Sequence, residues 1–172
     1  ACRACAGLEV EHSGAGSGRP DRVVANRDQN GIMIRALTRA ELSSPEAAHL
    51  SWLAADIEAG DYKVFARDQL AQLSTLGVFE HDTLVAIAAF AGASTSNIAD
   101  DPVVLEYLAT QESAQGRGLG RALVAAIHAE HPDRTIVAET DDDAVEFYRR
   151  LGFSIEQTDS PDPRWPERRR YR

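Results

Sequence analysis

The segment Gln115-Gly116-Arg117-Gly118-Leu119-Gly120 joins a strand-like run, Val103 to Thr110, to a helix-like run, Leu119 to Glu130. A glycine-rich turn from strand to helix aims several backbone N–H groups at one point. Those groups, with the positive end of the helix dipole, favour an anion there by about 0.3–1 kcal/mol per charge. Glycine suits such a turn because the backbone itself approaches the ligand and can adopt positive φ. The segment therefore predicts a site for a phosphate-bearing ligand.

The rest of the chain sets this turn in a mixed fold. Ile32 to Ile34 reads as a short strand. Ser43-Ser44-Pro45-Glu46 is a helix-start signal, with a serine cap, an early proline and an acid after them. Leu50, Leu53, Ala54 and Ile57 then follow at the spacing of one helix face, with Gly60 as the expected stop. A second helix is expected over Arg67 to Leu76, with Leu70 and Leu73 inward and Gly77 ending it. Gly77 to Glu80, a turn at His81-Asp82, and Thr83 to Ala91 read as a hairpin whose return strand is nearly all apolar, as in a central strand. Gly92 to Asp101 reads as a polar loop.

Beyond the glycine turn, Leu119, Ala122, Leu123, Ala126 and Ile127 form one apolar helix face. Thr135 to Glu139 is a strand. Asp141-Asp142-Asp143 offers a cap and negative charge at the start of a helix in which Ala144, Phe147, Tyr148 and Leu151 share a face and Gly152 is the stop. Phe153 to Gln157 and Arg168 to Arg172 read as two further strands. This order predicts an α/β domain built on one central sheet of mixed direction.

The chain has 172 residues, enough for one domain with a sizeable core. Residues 1–30 read as a disordered tail, since Ser13, Gly14, Gly16, Ser17 and Gly18 lie in a stretch without apolar periodicity. The domain then occupies 31–172. Cys2 and Cys5 have no second pair and fall in the tail, so no metal is expected. The net charge of −9 argues against nucleic acid as the main partner and favours a cationic small molecule. No apolar run reaches the ~18 residues of a membrane span. No signal-peptide core is visible either, so the expected location is the cytoplasm.

Two nucleotide-binding motifs fail against the turn. A P-loop needs Gly-Lys followed by Ser or Thr, whereas Gly120 precedes Arg121 and Ala122. A dinucleotide fingerprint needs Gly-x-Gly-x-x-Gly early in the chain, but here the last glycine comes one position too soon and the unit lies late.

A third motif fits. Gln115, Gly118 and Gly120 match the pyrophosphate turn Gln/Arg-x-x-Gly-x-Gly/Ala, and Ala144, Phe147, Tyr148, Gly152 and Phe153 match the later signature Ala-x-x-Phe-Tyr-x-x-x-Gly-Phe. In these motifs, their order and their spacing, residues 32–172 resemble the GNAT superfamily of acyl-CoA-dependent N-acetyltransferases. The resemblance implies a mostly antiparallel central sheet of six or seven strands, flanked by about four helices and splayed between the fourth and fifth strands.

It also implies roles. Acetyl-CoA would be the cosubstrate, with no metal. Its pyrophosphate would lie on the turn, Gln115, Gly116, Arg117, Gly118, Leu119 and Gly120, with Arg121 adding charge. Its pantetheine arm would pair with Leu108, Ala109 and Thr110 on the strand edge opened by the splay. The family often has Asn at the position of Asp141, where it contacts the pantetheine; Asp lacks that amide donor.

The expected reaction is direct attack of an amine on the thioester. Glu106, a carboxylate among apolar strand residues, is the candidate general base, with Glu139 second. Simple alternation would put Glu106 on one face with Val104 and Leu108. Tyr148, on the inward helix face, is the candidate acid for the leaving thiolate, and a backbone N–H near Leu108 would hold the oxyanion.

The acceptor is expected to be a small-molecule or peptide amine, in a pocket shaped by the first two helices and the 92–101 loop. No membrane or nucleic-acid partner is expected, and a homodimer stays open. Two other readings stand beside the enzyme: a non-catalytic acyl-CoA sensor, and an acetyltransferase toxin acting on charged tRNA, which the acidic balance disfavours. Arg168 to Arg170 read as charges protecting an exposed edge strand.

Overall fold

The computed structural model describes residues 26–27, 32–58, 60–92, 101–158 and 169–172. Nine strands and four helices are seen among them: β1 (Asn26–Arg27), β2 (Ile32–Ala36), α1 (Pro45–Ala55), α2 (Tyr62–Asp68), β3 (Ser74–Glu80), β4 (Thr83–Ala91), β5 (Val103–Thr110), α3 (Leu119–Glu130), β6 (Ile136–Ala138), β7 (Thr140–Asp141), α4 (Val145–Leu151), β8 (Gln157–Thr158) and β9 (Arg170–Tyr171). The main sheet runs β1-β2-β3-β4-β5-β6. Its neighbours are antiparallel except β5 and β6, which are parallel across the α3 crossover. A small second sheet has the order β7-β9-β8.

The main sheet separates two apolar layers. On one face Leu50, Leu53 and Phe65 of α1 and α2 pack on Phe79, Ile87, Ala89, Tyr107 and Ala109. On the other, Leu119, Leu123 and Ile127 of α3 and Tyr148 of α4 pack on Val78, Ala88, Val103, Leu105 and Leu108. Leu50, Leu123 and Ile127 have no exposed surface, and full burial of such side chains stabilises by about 1.5–3 kcal/mol each. This accounts for the nearly continuous apolar run of β4, which is covered on both faces.

Several boundaries differ from expectation. Asn26 and Arg27 lie within the expected tail, yet they pair with Ile34 and Met33; residues 1–25 are outside the described ones. Helix α1 is capped by Ser44, whose side chain accepts from the Ala47 N–H at 3.1 Å. It ends at Asp56 rather than Gly60, because Asp56 takes the left-handed conformation at φ 56°. A short polar side chain tolerates that region.

The second helix covers Tyr62–Asp68, followed by a 3-10 turn at Leu70–Gln72. Residues 74–76 are already strand, and Gly77 lies inside β3 rather than ending a helix. The reason is packing. A Cβ at Gly77 would sit 2.4 Å from Leu37 and 2.6 Å from Leu84.

The three aspartates do not cap α4, whose first turn has no side-chain cap. Asp141 closes a turn by accepting the Asp143 N–H at 3.1 Å. The Asp142 carboxylate accepts the Tyr171 hydroxyl at 2.7 Å and the Arg169 N–H at 3.2 Å. Asp142 thus ties the last strand down.

Strand β9 is the middle of its sheet, so it is not an exposed edge. Arg170 is buried and pairs with Glu139 at 3.6 Å. Of the expected strand Phe153 to Gln157, only Gln157 is strand, within β8, although Glu156 and Arg172 exchange two backbone hydrogen bonds. No helix among the described residues is long and apolar enough to cross a membrane.

Candidate functional site

Strand β5 keeps its partner β4 along nearly its whole length but pairs with β6 only at Val103, Val104 and Leu105. From Glu106 to Thr110 the two parallel neighbours diverge. A bulge marks the point of divergence: Ala89 faces Tyr107 while Phe90 faces Leu105, which leaves Glu106 as the extra residue. Bulges bend a strand and redirect the side chains that follow. Here the inserted residue reverses the alternation. Leu105 and Leu108 point into the α3 layer, and Tyr107 and Ala109 into the α1 layer. The expected grouping of Glu106 with Val104 and Leu108 by simple alternation therefore fails.

The opening holds a cleft of about 430 Å³. Its wall is the C-terminal end of β5, Leu108, Ala109 and Thr110, and its end is the glycine turn. Leu53 of α1 reaches it from one layer, and Phe147 and Leu151 of α4 from the other. The cleft therefore draws on both sides of the sheet at the place where the sheet parts.

The glycine turn is built by local geometry. Gly116 and Gly118 sit at φ 74° and 80°, a region that other residues adopt at a cost. Gly118 is the N-cap of α3, so the first N–H groups of the helix have no partner within it. The Gln115 side-chain amide donates to the Thr110 carbonyl at 3.1 Å and ties the turn to the end of β5. Gly120 lies where α3 meets α4; a Cβ there would be 3.1 Å from the Phe147 ring.

Most expected cofactor residues come together. Leu108, Ala109, Thr110, Gln115, Gly116, Gly118, Leu119, Gly120 and Arg121 all line the cleft. Arg121 also donates to the Arg150 carbonyl at 3.1 Å, bridging α3 to the last turn of α4. Arg117 and Asp141 are not among the lining residues. Arg117 pairs with Glu80, with one bond of 3.0 Å, at the end of the β3-β4 hairpin. Asp141 is 2% exposed, and its carboxylate holds its own turn.

Sequence reasoning missed Leu53 and Arg150 as lining residues. In sequence Leu53 reads only as part of a helix face, and nothing local marks which core residue borders a cleft. Arg150 carried a signal, since it lies within the Phe147–Phe153 signature.

The two expected catalytic groups, Glu106 and Tyr148, are not among the lining residues. Glu106 is half-buried. Burial first, and then the neighbouring Glu139 carboxylate, push its pKa above the usual carboxylate range. Tyr148 is 1% exposed, edge-on to Phe147 at 5.2 Å and to Phe153 at 5.3 Å between ring centres. Its neighbours Ala144 and Phe147 line the cleft. Residues 93–100, expected to help shape the acceptor pocket, are outside the described ones.

Known proteins share this fold. Residues 73–155 match the model of an acetyltransferase (GNAT) domain. No curated protein matches the chain. Among solved structures, the ribosomal-protein-S18-alanine N-acetyltransferase of Escherichia coli is 21% identical, with a TM-score of 0.59 over 81% of this chain and 90% of that one. A GNAT family acetyltransferase from Elizabethkingia anophelis, with acetyl-CoA bound, is 15% identical, with a TM-score of 0.57 over 80% of this chain and 84% of that one. Glucosamine-6-phosphate N-acetyltransferase of Arabidopsis thaliana is 12% identical, with a TM-score of 0.58 over 76% of this chain and 97% of that one. At these identities the solved structures speak for the fold. The matched region spans the glycine turn, the splayed strand and the Phe147–Phe153 signature, and residues 73–155 form a domain of the GNAT superfamily.

Proposed function

We propose that the protein transfers an acetyl group from acetyl-CoA to a primary amine by direct attack on the thioester. The observation that carries this reading is the parting of β5 from β6 after Leu105, with the glycine turn closing one end of the opening. The chemistry of the lining fits acetyl-CoA. Its pyrophosphate suits the N–H groups at the start of α3, with Arg121 and Arg150 at the rim. Its pantetheine amides suit the part of β5 that β6 leaves, where strand-like pairing is available. Leu53, Leu108, Phe147 and Leu151 give apolar surface beside that path.

The acceptor enters from the α1 side in this reading, since the cleft passes between the layers where the sheet opens. An alkylamine with pKa near 10 arrives mostly protonated at neutral pH. Glu106 takes its proton, directly or through one water, and its raised pKa suits a base working near neutrality. Tyr148 returns a proton to the departing thiolate. The N–H groups near Leu108 stabilise the oxyanion. The acceptor is a small-molecule or peptide amine.

A thiol-release assay over a panel of amines tests the reading, together with thermal melting in CoA. Release of CoA thiol that depends on one class of amine supports it. Stabilisation by CoA without thiol release from any amine would leave a sensor in place of the enzyme. No stabilisation at millimolar CoA would remove every acyl-CoA reading.

A further inference from the structure

A second cavity, of about 390 Å³, lies beside α2 and shares no lining residue with the cleft. Leu42, Tyr62 and Ala66 give it a mostly apolar floor, and Arg39, Lys63 and Arg67 bring three cationic side chains to it. The concentration is unusual for this chain, which carries a net charge of −9 and whose single lysine is Lys63.

Of the acids flanking the cavity in sequence, Glu41 and Asp68 are engaged, while Asp61, just before α2, makes no side-chain cap hydrogen bond. Glu41 accepts from Arg35 at 2.8 Å and from the Thr38 N–H at 2.8 Å. These partners, Arg35 first, hold its pKa down at about 2. Asp68 is bound by Arg67 through bonds of 2.5 and 2.6 Å. Among the described residues, Arg39 and Lys63 make no ion pair. Arg39, Lys63 and Arg67 are exposed, and like charges gathered at one concave surface raise the local potential and attract an anion in a salt-dependent way.

The cavity is also held in shape. The Tyr62 hydroxyl donates to the Leu42 carbonyl, joining α2 to the 3-10 turn Glu41–Ser43. The Leu42 N–H donates to the Thr38 carbonyl at 3.0 Å, and the Ser43 hydroxyl to the Arg39 carbonyl at 3.2 Å. Arg39 thus projects from a fixed turn.

We propose that this cavity is a second binding site, for the phosphate group of a small phosphorylated metabolite. Two cations that make no ion pair among the described residues match a phosphate dianion better than a monocarboxylate, and the arginine fork and lysine ammonium both suit phosphate oxygens. The volume exceeds that of the phosphate alone and lies in the range of small-molecule sites, about 300–1,000 Å³. The apolar floor accommodates the rest of the ligand. The site is independent of acetyl transfer.

The single lysine supplies a local readout. An amine-reactive ester acylates one side chain, Lys63, and peptide mass spectrometry follows its rate without acetyl-CoA present. The probes are glycerol 3-phosphate and inorganic phosphate, with glycerol, sodium chloride and citrate as controls at matched ionic strength. Glycerol 3-phosphate at several times its Kd is expected to slow Lys63 acylation about fivefold. Glycerol and chloride are expected to leave the rate unchanged, and citrate to protect less than either phosphate. Arg39→Ala is expected to keep the thermal midpoint and the unprotected rate but lose the protection. No slowing by either phosphate overturns the proposal, as does protection by chloride or glycerol, full protection in Arg39→Ala, or citrate protecting as well as phosphate.

Discussion

Gly120 and Phe147 meet where α3 passes α4, and a Cβ on Gly120 would lie 3.1 Å from the Phe147 ring. The contact joins two motifs that are separate in the chain. It explains why the last glycine of the turn sits inside a helix, where glycine ordinarily costs about 0.8–1 kcal/mol relative to alanine.

Gly120→Ala therefore sets a gain in helix propensity against an overlap with Phe147. Folding stability is expected to change by less than about 1 kcal/mol, while CoA affinity falls about tenfold as the ring moves into the cleft. In a Phe147→Leu background the affinity loss should shrink. Calorimetric titration of the four proteins measures this coupling, and additive losses would show that the two residues act separately.

Gly118→Ala acts differently. Nothing lies within 4 Å of a Cβ built there, but φ is 80°. The left-handed backbone then costs alanine about 1–2 kcal/mol. A denaturant midpoint lowered by that amount, with weaker CoA binding, is the expected result. An unchanged midpoint would mean that the turn relaxes at no cost.

Glu106 has a pKa raised by burial and by Glu139. The rate should fall as pH drops and Glu106 takes up a proton, along a limb that lies above the ordinary carboxylate range. Glu106→Gln should remove that limb and lower turnover by about 10²–10⁴. A pKa raised in the folded state gives stability that is full at low pH and lost as pH rises through the folded value. The glutamine variant should accordingly melt no lower than the wild type at neutral pH. An intact acidic limb would assign the base elsewhere.

Tyr148→Phe should lower turnover by about 10²–10⁴ if the hydroxyl protonates the thiolate. Thermal melting should shift little, since the ring keeps its edge contacts with Phe147 and Phe153. Full turnover in a folded variant would return Tyr148 to the core alone.

Glu41, lowered from 4.5 to about 2 chiefly by its hydrogen bond with Arg35, has the opposite sign. Its stabilisation is present above the unfolded pKa and lost as pH falls through the folded one. Because the pair is partly exposed, Glu41→Gln should cost only about 1 kcal/mol at pH 7. Urea unfolding at stepped pH should show that difference closing between about 4.5 and 2. A difference that persists below this window would indicate a packing effect.

The site was legible where its residues are contiguous. Gln115 to Gly120 and Ala144 to Phe153 carry turn, cap and helix-face chemistry in their own order, so the cleft lining could be anticipated from Leu108 to Arg121. Residues whose position depends on a distant partner were not. Gly77 resembles a helix stop in sequence, but Leu37 and Leu84 close over it in the sheet. Arg170 resembles an edge charge, but β7 and β8 enclose its strand, and it pairs with Glu139.

The amino-acid order by itself determined the elements that line the cleft, because glycine conformation, helix periodicity and the strand-to-helix turn are local properties. The tertiary structure decided where the sheet opens and which way its side chains point. Strand register is a pairing between distant segments, and one extra residue at Glu106 reverses every side chain beyond it. That bulge turns Leu108 toward α3 and Tyr107 toward α1, a choice that no window of sequence around β5 contains.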